Sequence, residues 1–214
     1  MTTQSTIEIV PLALEHRQTV IDLIMSSFFT QEPLNASLKF DLPHEPLSWI
    51  EHIFDQALHH QCSFVAIDTT TTPQQNIVGV ILNGISNRTD PADTFKISSE
   101  KLNFIFTLID QISNAQDLYD LYKTDRIFHC DIINIDQNQR GQNLSARLIS
   151  ASLEQARKLG ITAGSVVCTS LFSRKAFLRQ DFKVIKEILY SDYGKGRLTD
   201  MGVHDRCTLL ARAL

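Results

Sequence analysis

The chain has 214 residues, of which 43% are apolar and 21% charged, and a formal net charge of −4, the make-up of a soluble globular protein with one full core. Its 20 lysines and arginines stand against 24 acidic residues and form no basic block, which excludes a nucleic-acid binder relying on phosphate contacts. No run approaches the ~18 apolar residues of a membrane span. The expectation is a single domain over residues 1–214, cytoplasmic, a monomer or weak dimer, with a small molecule as partner and neither nucleic acid nor membrane. The opening MTTQSTIEIV lacks the positive and apolar regions of a secretion signal. Cys62, Cys130, Cys168 and Cys207 lie far apart with no C-x-x-C spacing, as in a reducing compartment, and the seven histidines form no H-E-x-x-H, so no metal is expected.

In chain order, Ile7, Ile9 and Leu12 predict a short strand broken by Pro11. Leu14, Arg17, Val20, Ile21, Ile24 and Phe28 recur at helical spacing. Pro33 forces Glu32 into extended geometry, so that helix stops there and the carboxylate sits at a turn. A second helix is predicted from Pro46 through Leu58, carrying Trp49, and is expected to wall a substrate pocket. Cys62–Ile67 and Ile77–Leu82 predict strands joined by a threonine-rich hairpin loop closed at Pro73, and a polar loop is expected from Gly84 to Thr94. Helical spacing runs from Leu102 to Tyr122, with Tyr119 and Tyr122 as candidates for a substrate channel.

The most informative stretch is Asp131 to Ser145, DIINIDQNQRGQNLS. Arg126 to Ile135 predicts a strand, Asp136 to Gln139 a polar turn, and Leu144 opens a helix with apolar positions at Leu144, Leu148, Ile149, Ala151, Leu153 and Ala156, closed by Lys158 and Gly160. A strand, a turn and a helix start make an anion cradle: the first N–H groups of a helix have no internal acceptor, and its dipole is positive there. Arg140 adds charge-assisted bonds. Asn143 tolerates a left-handed backbone and Ser145 is small. Ala163–Cys168 predicts a strand, Thr169 or Ser170 the cap of a following helix, and Phe182–Tyr190 and Arg206–Ala213 two closing strands around the turn-rich SDYGKGRLTDMG.

R-G-Q-N-L-S, Arg140 to Ser145, resembles the pyrophosphate-binding loop of the GNAT superfamily of N-acetyltransferases, Q/R-x-x-G-x-G/A, with Asn143 and Ser145 at the two later small positions. F-F-T-Q-E-P-L-N, Phe28 to Asn35, resembles the signature of the invertebrate-type arylalkylamine N-acetyltransferases. The resemblance implies acetyl-CoA as co-substrate, held by Arg140, Gly141, Gln142, Asn143, Leu144 and Ser145. It implies that the backbone of Ile133, Asn134 and Ile135 pairs with the pantetheine arm and points an N–H at the thioester oxygen. It implies Glu32 as the base that deprotonates the amine, Phe28, Phe29 and Pro33 as pocket residues, and Thr169 and Ser173 as hydroxyls that bind substrate or return a proton to the thiolate. Tyr190 is an alternative general acid on the substrate side. A base is needed because an alkylamine with a pKa of about 10 is almost wholly protonated near neutral pH.

The expected fold is mixed α/β of the α+β kind: a central, mixed and mostly antiparallel sheet of about seven strands flanked by helices, with a splayed parallel strand pair at the acetyl-CoA site. The expected function is acetyl transfer to a dopamine-, serotonin- or tryptamine-like amine by direct attack in a ternary complex. A covalent route through Cys130 or Cys168 is not expected, because no histidine is recognisably paired with either thiol. Two alternatives stay open: the same fold with a polyamine or other small amine as acceptor, for which Glu45, Glu51 and Asp55 are the carboxylates on offer, and a non-catalytic acyl-CoA-binding module indifferent to Glu32.

Overall fold

The computed structural model describes residues 7–72, 76–91, 95–194 and 196–214. Pro73 of the expected hairpin loop, Thr94 of the expected polar loop and Lys195 lie outside the described residues. Seven strands form one sheet: β1 Ile7–Pro11, β2 Phe64–Asp68, β3 Ile77–Asn87, β4 Arg126–Ile135, β5 Ala163–Cys168, β6 Lys183–Leu189 and β7 Arg206–Ala213. Their order is β1-β2-β3-β4-β5-β7-β6, and every neighbouring pair is antiparallel except β4 and β5. The helices are α1 Arg17–Leu23, α2 Phe29–Gln31, α3 Pro33–Leu38, α4 Leu47–His60, α5 Glu100–Ser113, α6 Leu118–Tyr122, α7 Leu144–Lys158, α8 Leu171–Leu178 and α9 Tyr190–Tyr193. Among the described residues no helix is long and apolar enough to cross a membrane, and none of the His, Cys, Asp and Glu side chains group in threes that could hold a metal.

Helices cover both faces because the central strands are apolar on both sides, as buried strands must be. On one face Leu144, Leu148, Ile149 and Leu153 of α7 pack with Ile81, Phe128 and Val166. On the other, α1, the turn that follows it and α4 bury Val20, Ile24, Ile50 and Phe54 against Val80, Leu82 and Ile132, while α5 sets Ile105, Leu108 and Ile112 beside Tyr190 and Leu209. The parallel pair is short. Its ladder holds only Phe128↔Gly164, His129↔Ser165 and Cys130↔Val166, and immediately beyond it one extra residue, Asp131, sits in β4 between the pairs Asn83↔Cys130 and Leu82↔Ile132. Such a bulge bends the strand and increases its twist. From there β4 stays paired with β3 alone, and the sheet opens.

Four expectations are corrected. Gly84 to Asn87 belong to β3 rather than to a loop: the polar Asn83 that ends the apolar run is satisfied internally by the Cys62 carbonyl (2.7 Å) and the Ser152 hydroxyl (3.0 Å), and Gly84 leaves room for the His129 ring, whose Nε2 would stand 2.3 Å from a Cβ there. Ser152, not Ala151, therefore joins Ala156 as a fully buried small residue of α7. The Leu102–Tyr122 stretch is two helices, since Asp117 accepts from the Asp120 N–H (3.0 Å) and restarts the helix as its cap. Tyr119 meets Arg88 instead of a channel. Finally, α4 faces the core: Trp49 packs edge-on against Phe29 and Phe106 (6.3 and 5.2 Å between centroids), because the aromatic residues of α2 and α5 reach it first.

Candidate active site

Where β4 and β5 part, a cavity of about 490 Å³ opens between the first helical segment, the strand ends and the starts of α7 and α8. Glu32, Thr169, Ser173, Phe28, Pro33, Ile133, Asn134, Ile135, Arg140, Gly141, Asn143, Leu144 and Ser145 all line it.

One side of the cavity is backbone. A 3-10 turn, Gln137–Gln139, is capped by Asp136, which accepts from the Asn138 N–H at 2.7 Å, and it delivers the chain to Arg140 in extended geometry. Gly141 (φ 84) and Asn143 (φ 60) are left-handed, and Asn143 caps α7 without using its side chain. The first amide of α7 to find a helical acceptor is that of Arg147, bonded to the Asn143 carbonyl at 3.2 Å, so the amides of Leu144 to Ala146 are free to bind an anion. Nothing lies within 4 Å of the place a Gly141 Cβ would take. The donor set of bare amides, a helix N-terminus and the exposed Arg140 guanidinium fits a pyrophosphate. Arg140 donates to Gln31 Oε1 at 2.6 Å, tying this loop to the residue before Glu32.

The strand beside it has a free edge. The Asp136 N–H donates to the Val78 carbonyl at 2.9 Å, so by strand alternation the backbone of Asn134 also faces β3, whereas Ile133 and Ile135 turn theirs toward the gap. Asn134 is thereby corrected as a backbone ligand. Its side chain is occupied as well, accepting from the Ser27 hydroxyl (3.1 Å) and donating to the Leu23 carbonyl (3.4 Å). That carbonyl precedes a wide π-helical turn, Ile24–Phe28, so Asn134 pins a widened turn that periodicity alone does not reveal.

The opposite side of the cavity is built from side chains. The helix stops at Glu32, which adopts φ −67°, ψ 132° before Pro33, as the sequence predicts, and a new helix starts at that proline. Glu32 caps it, Oε2 accepting from the Asn35 N–H at 2.9 Å. Oε1 is buried with no hydrogen-bond partner, although the nearby Thr169 hydroxyl exerts a weak pull on the carboxylate. Burial raises the Glu32 pKa above the ordinary carboxylate value, outweighing the Asn35 amide and Thr169. Thr169 is held from behind: its carbonyl accepts from the Tyr190 hydroxyl at 2.5 Å. Ser170, rather than Thr169, caps α8, accepting from the Ser173 N–H at 3.0 Å, and the Ser173 hydroxyl lies 2.9 Å from that of Ser170.

Three expected residues stay off the cavity surface. Phe29 is buried between Phe28, Phe40 and Trp49; Gln142 turns to Gln139 (2.6 Å); and Tyr190, on the short helix α9 instead of the strand, is enclosed among Ile105, Cys207 and Leu209. Burial drives its phenol well above the usual tyrosine range. The cysteines are equally inert, burial pushing the Cys168 thiol up to about 12. Lining residues that periodicity gave no reason to choose are Gln31, Asp131, Phe172 and His204, the last accepting from the Leu171 N–H at 3.0 Å. Asp131 did carry a signal, the one carboxylate of β4, set between Cys130 and Ile132.

No family model matches the sequence. The fold closely follows the crystal structure of arylalkylamine N-acetyltransferase 2 from Aedes aegypti, with a TM-score of 0.82 and 26% identity over 97% of this chain and 99% of that one. The chain has the GNAT fold. The C-terminal condensation domain of Ebony, solved in complex with beta-alanyl-dopamine, superposes with a TM-score of 0.79 at 22% identity, covering 99% of this chain and all 100% of that domain. A Drosophila melanogaster polyamine N-acetyltransferase does so with a TM-score of 0.80 at 19% identity, covering 97% and 100%. At these identities the likeness is one of fold. By sequence, 104 residues are 36% identical to the Drosophila melanogaster beta-alanyl-bioamine nonribosomal peptide synthetase Ebony; the match takes in 48% of this chain and 11% of Ebony, so the chain spans about a tenth of the curated relative it matches. Such neighbours support acyl transfer to an amine.

Proposed function

We propose that the chain transfers an acyl group, acetyl from acetyl-CoA in the simplest case, to the primary amine of an arylalkylamine by direct attack. The observation that carries this reading is the buried, partnerless Oε1 of the Glu32 carboxylate in the same cavity as the cradle and the free edge of β4. In this reading the amides of Leu144 to Ala146, with Arg140 and Gly141, hold the pyrophosphate, and Ile133 and Ile135 pair with the pantetheine arm. One of those two amides donates to the thioester oxygen as charge builds on it, a stabilisation of about 3–4 kcal/mol where such donors have been removed. CoA supplies a thiolate leaving group.

Glu32 accepts the proton from the ammonium, and its raised pKa brings it closer to the amine's, which makes that transfer less uphill. Thr169 hands the proton on toward the leaving thiolate, and Tyr190 acts as a positioning residue through the Thr169 carbonyl, not as an acid. Phe28 and Pro33 provide the apolar wall for the aromatic ring. The acetyl-cysteine route is disfavoured by thiols that burial keeps protonated. Of the carboxylates that a polyamine acceptor would need, Glu45 is bound by Lys101 at 2.7 Å and Asp55 by Arg17, both away from the cavity. The test is release of CoA thiol from acetyl-CoA by the purified protein with aromatic, aliphatic and polyamine acceptors. Release with tryptamine or dopamine well above the amine-free rate is expected; flat traces from protein that still binds CoA would overturn the reading in favour of a non-catalytic module.

A further inference from the structure

Asp131 is a second carboxylate in the cavity, and nothing in the transfer chemistry above uses it. It is the extra residue of the β4 bulge, directly after the last parallel pair Cys130↔Val166, and so stands at the closed end of the gap into which the thioester end of the donor is directed. Its one polar contact among the described residues is with His129, whose Nε2 lies 3.4 Å away, while the other ring nitrogen of His129 is 3.1 Å from the Ser86 hydroxyl. No lysine or arginine among the described residues pairs with it, although its side chain is 27% accessible. The remaining ionisable groups of the cavity wall are Glu32, Arg140, His204 and the Cys130 thiol. A carboxylate on the cavity wall that is matched only by an imidazole is incompletely compensated. Burial accordingly raises its pKa, against the pull of His129. A cationic group delivered by a ligand would complete it.

We propose that Asp131 binds an ammonium group carried by the acyl donor, so that the site accepts a short acyl thioester ending in a primary amine, of which β-alanyl-CoA is the simplest probe. This rests on the acyltransfer reading of the same site. The donor is favoured over the acceptor as source of the ammonium because Asp131 lies where the strands part, beside Cys130 and Val166. The division of labour is chemically consistent. The ammonium acceptor loses two protons through Glu32, one released to solvent before attack and one after it. The latter is handed on by Thr169 to the departing thiolate as the nitrogen bonds to the donor's carbonyl carbon and the C–S bond breaks. The donor's own nitrogen is untouched, because Asp131 holds it as an ammonium with no lone pair to attack.

The test compares β-alanyl-CoA with butyryl-CoA, the isostere that replaces the ammonium by a methyl, using one aromatic amine and full-length protein. Wild type is expected to prefer β-alanyl-CoA by roughly ten- to a hundredfold in kcat/KM, the range for a hydrogen-bonded charge, and Asp131→Asn to reduce that ratio to near one. Thermal shift with the two thioesters gives the same comparison without turnover: a β-alanyl preference that Asp131→Asn abolishes supports the subsite even in a protein that releases no thiol, which would defeat the transfer reading alone. Equal use of both donors by wild type overturns the proposal, and does so without needing the variant to fold. A defect of Asp131→Asn confined to diamine acceptors such as putrescine, with donor preference unchanged, also overturns it and assigns the ammonium to the acceptor.

Discussion

The two sides of the cavity are made of different material. The cradle side consists of backbone: left-handed residues at Gly141 and Asn143, free amides at the start of α7, and the edge of β4 that β5 abandons after Cys130. The acid side consists of side chains gathered from distant stretches, Glu32 from the end of α2, Thr169 from the end of β5, and Tyr190 behind it, 21 residues along the chain from the carbonyl it holds. A backbone site tolerates changes of side chain that keep its torsions, so Asn and Ser can stand where the family loop has glycine or alanine. A side-chain site tolerates little, because its central group is buried and half satisfied.

The sharpest way to break this contrast is at Glu32. Glu32→Gln keeps an oxygen that can cap α3 but cannot take a proton, and kcat/KM should fall by about 10²–10⁴ with the KM for the thioester nearly unchanged. Stability should move the other way. Burial raises the native pKa of Glu32 above its unfolded value, so the native state keeps a proton that the unfolded chain releases, and stability is lost as pH rises through that interval. The variant should therefore melt higher than wild type at neutral pH, with the gain disappearing on acidification below the ordinary glutamate range; a melt lower at every pH would contradict the assignment.

On the cradle side, Asn143→Gly should bind CoA as well as wild type, whereas Asn143→Val forces a β-branched residue into a left-handed torsion at roughly 1–2 kcal/mol and should weaken CoA binding about tenfold in calorimetry. Equal binding by both variants would show that the torsion does not matter. Tyr190→Phe leaves the partly buried Thr169 carbonyl without its donor and should cost about 1–3 kcal/mol in denaturant titration, with only a modest loss of kcat. A rate loss as large as that of Glu32→Gln would make Tyr190 the acid instead. The smallest effect belongs to Arg140→Ala: the guanidinium is exposed, so the loss of CoA affinity should be two- to fivefold at low salt and shrink as salt is added.

The same contrast explains what the sequence reveals. The cradle is legible because its instructions are local: an apolar strand, a turn, a basic residue, a left-handed-tolerant Asn143, an apolar helix. Glu32 at a chain break is legible through Pro33, whose ring dictates the torsion of its predecessor. What stays hidden depends on long-range pairing. Nothing near Asn83 and Gly84 says that β3 continues, since the groups that satisfy them, Cys62, Ser152 and His129, lie far along the chain. The π-helical turn pinned by Asn134, the retreat of Phe29 into the core and the bulge at Asp131 likewise exist only once helix and sheet meet.

The most direct measurement of the central claim is the pH dependence of kcat/KM for thiol release from acetyl-CoA with tryptamine. Glu32 as an enclosed base predicts an acid limb in wild type with an apparent pKa above the ordinary glutamate value, and a low rate without that limb in Glu32→Gln. A Glu32→Gln protein that keeps the wild-type rate and the same limb would contradict the account and move the base elsewhere in the cavity.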